Sequence, residues 1–277
     1  MQALDPTLTD YAFLGVLLLI AGVAAGLLAG LLGVGGGIVI VPVLFWVLEG
    51  QGFSASMAMI VAVGTSLATI IPTAWSSARA HRNKGNYDAA LFRAWAPYIF
   101  LGALAGGLAS FVLDGTHLKL IFGSVALVVA LNMAMPGSVK LAASLPQSKW
   151  VSGTIGSMIG FVSALMGIGG GTFSVPALTA YSVPTHRAVG TAAAFGLVIA
   201  VPGAFGFILS GLTEPMRPPF SLGYVNLAAV AAIVPMTVLF APVGARLAHA
   251  LPALHLKRAF AVFLAITAIR MLWSYYG

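Results

Sequence analysis

"GLLGVGGGIVIVPVL", residues Gly30 to Leu44, places Gly33, Gly35, Gly36 and Gly37 within five positions and follows them with Pro42. "ALMGIGGGTFSVPAL", residues Ala164 to Leu178, repeats the same punctuation with Gly167, Gly169, Gly170, Gly171 and Pro176. Both stretches lie in strongly apolar surroundings, where an uninterrupted helix would be the default. A glycine costs roughly 1 kcal/mol in a helix interior and opens positive φ and close backbone approach. Each cluster therefore reads as a helix break inside an apolar segment.

The surroundings are those of a membrane protein. Of 277 residues 60% are hydrophobic and only 7% charged, with mean hydropathy +1.03. A soluble domain carries about 25% charge, so a soluble core is excluded. Apolar runs of roughly 20 residues without period-two alternation argue for membrane helices rather than a barrel. The absence of cysteine removes disulfides, thiolate metal ligands and thiol catalysis. The net charge of +7 is read as loop charge that sets orientation, not as a nucleic-acid surface. MQALDPTLTD has no basic residue before the first apolar run, so that run reads as a retained span rather than a signal peptide.

Ten apolar segments follow: 11–32, 38–48, 55–78, 91–113 and 118–135, then 151–166, 172–183, 188–212, 222–247 and 256–276. The second segment of each half reaches only about 17 Å at 1.5 Å per residue, too short to span alone. It either folds back on the first segment as a re-entrant hairpin or forms a tilted, broken pair of crossings with it. The polar stretch "GSVKLAASLPQSKW" separates the halves. The expected organisation is a first transmembrane repeat over 1–136, a cytoplasmic linker over 137–150 and a second repeat over 151–277.

The halves match in order. At an offset of 134, Gly22, Gly26, Gly33, Gly35, Gly36, Gly37 and Pro42 meet Gly156, Gly160, Gly167, Gly169, Gly170, Gly171 and Pro176. "AVGT" occurs at Ala62–Thr65 and again at Ala188–Thr191. Towards each end the offset becomes 138, where Gly85, Pro97, Gly106 and "HLK" at His117 recur at Gly223, Pro235, Gly244 and His255.

The basic residues switch sides between the halves. Placing Arg79, Arg82, Lys84 and Arg93 in the cytoplasm also puts Lys140, Lys149, Arg187, Arg246, Lys257 and Arg258 there. Only Lys119, Arg217 and Arg270 of the 13 Lys and Arg are left outside. Both termini then face out. The pattern predicts an all-α integral membrane protein of two inverted-topology repeats, each with four to five apolar segments and a short helix after its glycine break, as in many secondary transporters.

A broken helix inside a bilayer is tolerated where protein buries it or it lines a cavity. The restarting helix points free N–H groups and its positive dipole end at that place, which suits an anion. Thr65, Ser66, Thr69 and Thr191 supply hydroxyls nearby. Pro42 and Pro176 would shape the helices after each break. No Gly-Lys-Ser/Thr follows either cluster, so neither is a phosphate loop. The glycine stripes at 22, 26 and 30 and at 156 and 160 read as packing surfaces. His81, His117, His186, His249 and His255 fall near loops without metal-ligand spacing. Arg270 corresponds to Asn132 and either snorkels outward beside Trp273, Tyr275 and Tyr276 or faces an anion pathway. No carboxylate is expected within the hydrocarbon, which favours a neutral or anionic solute.

With these motifs and "THRAVGTAAAFG", nearly the whole chain resembles the sulfite exporter TauE/SafE family of membrane transporters. The resemblance implies movement of sulfite, sulfoacetate or other sulfonates across the bacterial inner membrane. The alternatives are a passive anion channel and a transporter of another small carboxylate. The expected site is the backbone of Gly33–Gly37 and Gly167–Gly171, with Thr65, Ser66 and Thr191 as donors and Arg270 as the charged candidate. No enzyme activity, cofactor, metal or nucleic acid is expected. The expected partners are the lipid bilayer and a small anion, with a homodimer left open.

Overall fold

The computed structural model describes residues 8–134, 140–146, 148–248 and 253–276, with side chains for 14–134, 140–146, 148–248 and 261–273. Residues 137–139 and 147 of the linker and His249 lie outside the described residues. So do the side chains of Asp10, His255, Lys257, Arg258, Tyr275 and Tyr276. The described chain is α-helical apart from short turns and one two-residue hairpin. In the first half run α1 (Leu8–Leu32), α2 (Gly37–Gly50), α3 (Ala55–Asn83), α4 (Ala89–Leu108, followed by a 3-10 turn) and α5 (Gly115–Ala134). In the second run α6 (Lys149–Leu165), α7 (Gly171–Ala180), α8 (Thr185–Ser210), α9 (Leu227–Leu247) and α10 (Ala253–Tyr276). Six of them (α1, α3, α4, α5, α8 and α9) are long and apolar enough to cross a membrane.

Two boundaries differ from the sequence reading. The basic residues expected in the loop after the third segment are helical instead. Arg79 and Arg82 lie in the last turns of α3, and Arg93 in the first turns of α4. A cation near a helix C-terminus complements the dipole, so α3 continues to Asn83. The ninth segment starts five residues later than expected. Ser221–Leu222 (β1) pairs antiparallel with Val225–Asn226 (β2), turning through Gly223 at φ 56. Asn226 then caps α9, its Oδ1 accepting from the Ala229 N–H at 2.9 Å.

Helix packing is reciprocal between the halves. α1 packs along α9, and α6 packs along α4. α3 crosses α8 at the centre, and α5 packs on α10. The glycine stripes make the close approaches. A Cβ on Gly26 would lie 2.8 Å from Thr237 Cα, and one on Gly156 would lie 3.0 Å from Tyr98 Cβ. In hydrocarbon such packing substitutes for the hydrophobic effect.

The second segment of each half folds back. Gly36, the residue before α2, packs on Ala25 of α1. α2 then runs antiparallel to α3, from Gly37 beside Ser66 and Ile70 to a turn at 51–54 that leads into α3. α7 likewise starts with Gly170 against Ala192 and Phe195 of α8 and returns to the start of α8. Each short second helix thus packs more extensively on the third helix of its half than on the first.

Candidate functional site

The two breaks meet in the middle of the bundle. Gly33 faces Gly171, Gly35 faces Gly169 and Gly37 faces Gly167. A Cβ on Gly35 would lie 3.0 Å from Gly169 Cα, and one on Gly169 would lie 2.8 Å from Gly35 Cα. All eight cluster glycines are buried. Gly33, Gly35 and Gly36 have φ of 69, 76 and 79, whereas in the second cluster Gly167 alone is positive, at 65. That backbone region favours glycine, so the first break depends on it more heavily. Neither α2 nor α7 has a side-chain hydrogen bond at its N-cap. Pro42 is buried and Pro176 exposed, each at the sixth position of its short helix. Lacking an N–H, each leaves the carbonyl four residues earlier, at Ile38 and Thr172, without its usual helical donor.

Ser66 belongs to this junction: its Oγ donates to the Gly167 carbonyl at 2.7 Å. Thr65 and Thr191 have different partners. Thr65 Oγ1 accepts from the Asn226 N–H at 2.9 Å, and Thr191 Oγ1 accepts from the Asp88 N–H at 3.1 Å. Asn226 and Asp88 are the N-caps of α9 and α4 and lie 138 positions apart. Each "AVGT" threonine therefore holds the fourth helix of the other half. Arg270 is exposed and stacks over the Trp46 ring at 4.9 Å. It is not brought to the glycines, and Asn132 is exposed on the last turn of α5.

A polar seam on α3 went largely unread in the sequence. Thr69 Oγ1 donates to the Ser66 carbonyl and Thr73 Oγ1 to the Thr69 carbonyl, both at 2.7 Å. The Thr73 hydroxyl also lies 2.6 Å from Thr237 Oγ1 of α9. Ser77 Oγ donates to the Ala29 carbonyl at 3.1 Å. His81 Nε2 lies 2.8 Å from the Gly30 carbonyl, which can only accept, so Nε2 carries a proton. The Ala29 carbonyl also accepts from the Gly33 N–H at 3.0 Å; the Gly30 carbonyl lies in the last turn of α1, where carbonyls lack internal donors, so His81 caps that broken end. His81 is thus buried in the bundle and not a loop residue. The spacing of Ser66, Thr69, Thr73 and Ser77 (i, i+3, i+7, i+11) is the signal that marks this face.

Charge divides between the two ends. Arg79, Arg82, Lys84, Arg93, Lys149, Arg187 and Arg246 gather where α3 and α9 end and α4, α6 and α8 begin. Lys84 Nζ donates to the Ala245 carbonyl at 2.8 Å there, and Arg187 pairs with Asp88. The Leu91 N–H holds the Asp88 carboxyl below the usual carboxylate range, with the Arg187 charge adding to it against partial burial. A cavity of about 670 Å³ opens at this end beside Arg93, Trp95, Tyr98 and Lys149. One of about 330 Å³ opens at the other end beside Ser54, Ile60, Asp114, Glu214 and Tyr224.

The family model for the sulfite exporter TauE/SafE matches residues 18–271. The chain belongs to the sulfite exporter TauE/SafE family. It is 38% identical over 259 residues to a Haemophilus influenzae protein named "Probable membrane transporter protein", covering 92% of this chain and 97% of the relative. A Methanocaldococcus jannaschii protein of similar name is 25% identical over 95% of this chain and 97% of its own length. The Bacillus subtilis relative YunE is 28% identical over 71% of this chain and 79% of its own length. No solved structure matches the chain. As a TauE/SafE protein it is a multi-pass membrane transporter and not an enzyme.

Proposed function

We propose that this transporter is a secondary carrier of a small sulfur-containing or organic anion, with sulfite, sulfoacetate and other sulfonates as the expected class. It acts in the bacterial inner membrane, and the substrate site lies where the glycine breaks of two inverted repeats (1–136 and 151–277) meet. The observation that carries this reading is the facing of Gly33, Gly35 and Gly37 by Gly171, Gly169 and Gly167. Two uncapped helix N-termini at a buried centre provide donors without a permanent cation. The reciprocal contacts, including the paired threonine–N-cap bonds, support the repeats. The basic end is assigned to the cytoplasm by the positive-inside rule, with both termini periplasmic. Alternating access would rock one set of helices against the other around the junction.

The test is binding by purified protein of a panel of sulfur oxyanions and short carboxylates, followed by melting temperature. A ligand at 100 times its dissociation constant adds about 2.7 kcal/mol. Stabilisation by a sulfonate or sulfite, and none by a cation of like size, is the expected result. Stabilisation by cations alone would sink the anion reading.

A further inference from the structure

Three buried hydroxyls among the described residues have no hydrogen-bond partner: Ser163, Thr172 and Ser174. Ser163 and Ser174 are fully buried and Thr172 is 7% exposed. All three flank the second break, Ser163 in the last turn of α6 and the others in the first turns of α7. Hydroxyls in membrane helices commonly donate to a carbonyl three or four residues back. Thr69, Thr73, Thr154 and Thr179 do so here. The exceptions thus fall together at one place, and a buried donor without a partner is costly enough to need a reason.

The pattern is confined to one half. At the offset of 134, Ser163, Thr172 and Ser174 correspond to Ala29, Ile38 and Ile40, none of which has a side-chain donor. Packing common to both repeats does not account for it. Helical register aims Ser174 towards the junction. Gly171, Ser174 and Leu178 share one face of α7, and Gly171 stands against Gly33 and Val34 of the first break. The N-terminus of α7 has no side-chain cap, so its first N–H groups and the Ser174 hydroxyl form one set of donors.

We infer that the α7 end of the junction, and not the α2 end, holds the transported anion, with Ser174 as its side-chain donor. This rests on the carrier reading above and makes the site one-sided. α7 has no charged residue, and the only charge on α6 is Lys149 at its far end, so the donors there are neutral.

The experiment measures binding of methanesulfonate to purified wild-type protein and to Ser174→Ala, Thr172→Val and Ile40→Val, with the ligand-free melting temperature of each. Expected is wild-type binding of methanesulfonate. Affinity should fall about tenfold or more in Ser174→Ala, as for loss of a hydrogen bond to a charged group. It should not change in Thr172→Val, whose hydroxyl lies on another face of α7, or in Ile40→Val. Removing an unpartnered hydroxyl should leave the ligand-free melting temperature level or higher. If wild-type protein binds no small anion, the carrier reading itself fails. If it binds methanesulfonate and Ser174→Ala binds it equally well, the one-sided site is overturned. An equal loss in Ile40→Val would overturn it too.

Discussion

Ser66 Oγ donates to the Gly167 carbonyl at 2.7 Å, so the middle of α3 is tied to the glycine break of the other half. A Cβ on Gly37 would lie 2.8 Å from Ser66 Oγ. One side chain therefore touches both breaks. Ser66→Ala leaves a buried carbonyl without its donor and should destabilise by about 1–3 kcal/mol. Transport should fall with it, because the junction loses its fixed spacing. Thermal melting and uptake into proteoliposomes check both effects; a variant matching wild type in both would make the bond incidental.

Thr65→Val and Thr191→Val should each strand one backbone N–H, of Asn226 and Asp88 respectively. Each should cost about 1–3 kcal/mol. The two sites share no partner, so the double variant should show the sum within about 0.5 kcal/mol. Anion affinity should be unchanged in both. Weakened affinity at unaltered stability would return these hydroxyls to the substrate.

Asp88 sets an acid limit. Its carboxyl accepts from the Ala90 and Leu91 N–H groups at 3.0 Å each and pairs with Arg187. Its folded pKa is lowered, so its contribution is present above the usual carboxylate value of about 3.9 and is lost as pH falls through the lower, folded value. Asn caps a helix nearly as well as Asp. Asp88→Asn should therefore lose only the exposed ion pair, below about 1 kcal/mol at neutral pH. Melting curves from pH 7 down to about pH 3 should show the variant and wild type converging in acid. A constant gap would assign the difference to packing.

Topology is open to labelling, because the chain has no cysteine. Asn83 and Thr213 are exposed at the basic and the opposite end of the bundle. A cysteine at Asn83 should react from the cytoplasm alone, and one at Thr213 from outside alone. Reaction of both from the same side would rule out inverted repeats.

Arg270→Gln should leave anion affinity within about twofold, since the guanidinium lies over Trp46 and not at the glycine junction. The guanidinium lies over Trp46, 4.9 Å from the ring centroid. Loss of that contact should cost about 0.5–1 kcal/mol, read as a lowered melting temperature. A tenfold loss of anion affinity would place Arg270 on the substrate path.

Membrane residence, the helix breaks and the short second helices were legible in the sequence because each rests on local chemistry. Twenty apolar residues must hide their backbone in a helix wherever they lie, and four glycines in five positions weaken any helix. The match of Gly33–Gly37 with Gly167–Gly171 needed only an offset. What the matched clusters do to one another depends on contact. Only packing turns Gly35 onto Gly169, folds α2 back along α3 and separates Thr65 from its neighbour Ser66. Those two are adjacent in sequence but about 100° apart around a helix, so one reaches an N-cap and the other the junction. Ser163, Thr172 and Ser174 look like ordinary membrane hydroxyls in the sequence. Whether a hydroxyl has a partner is decided by the helices around it, and here the fold leaves these three without one beside the second break.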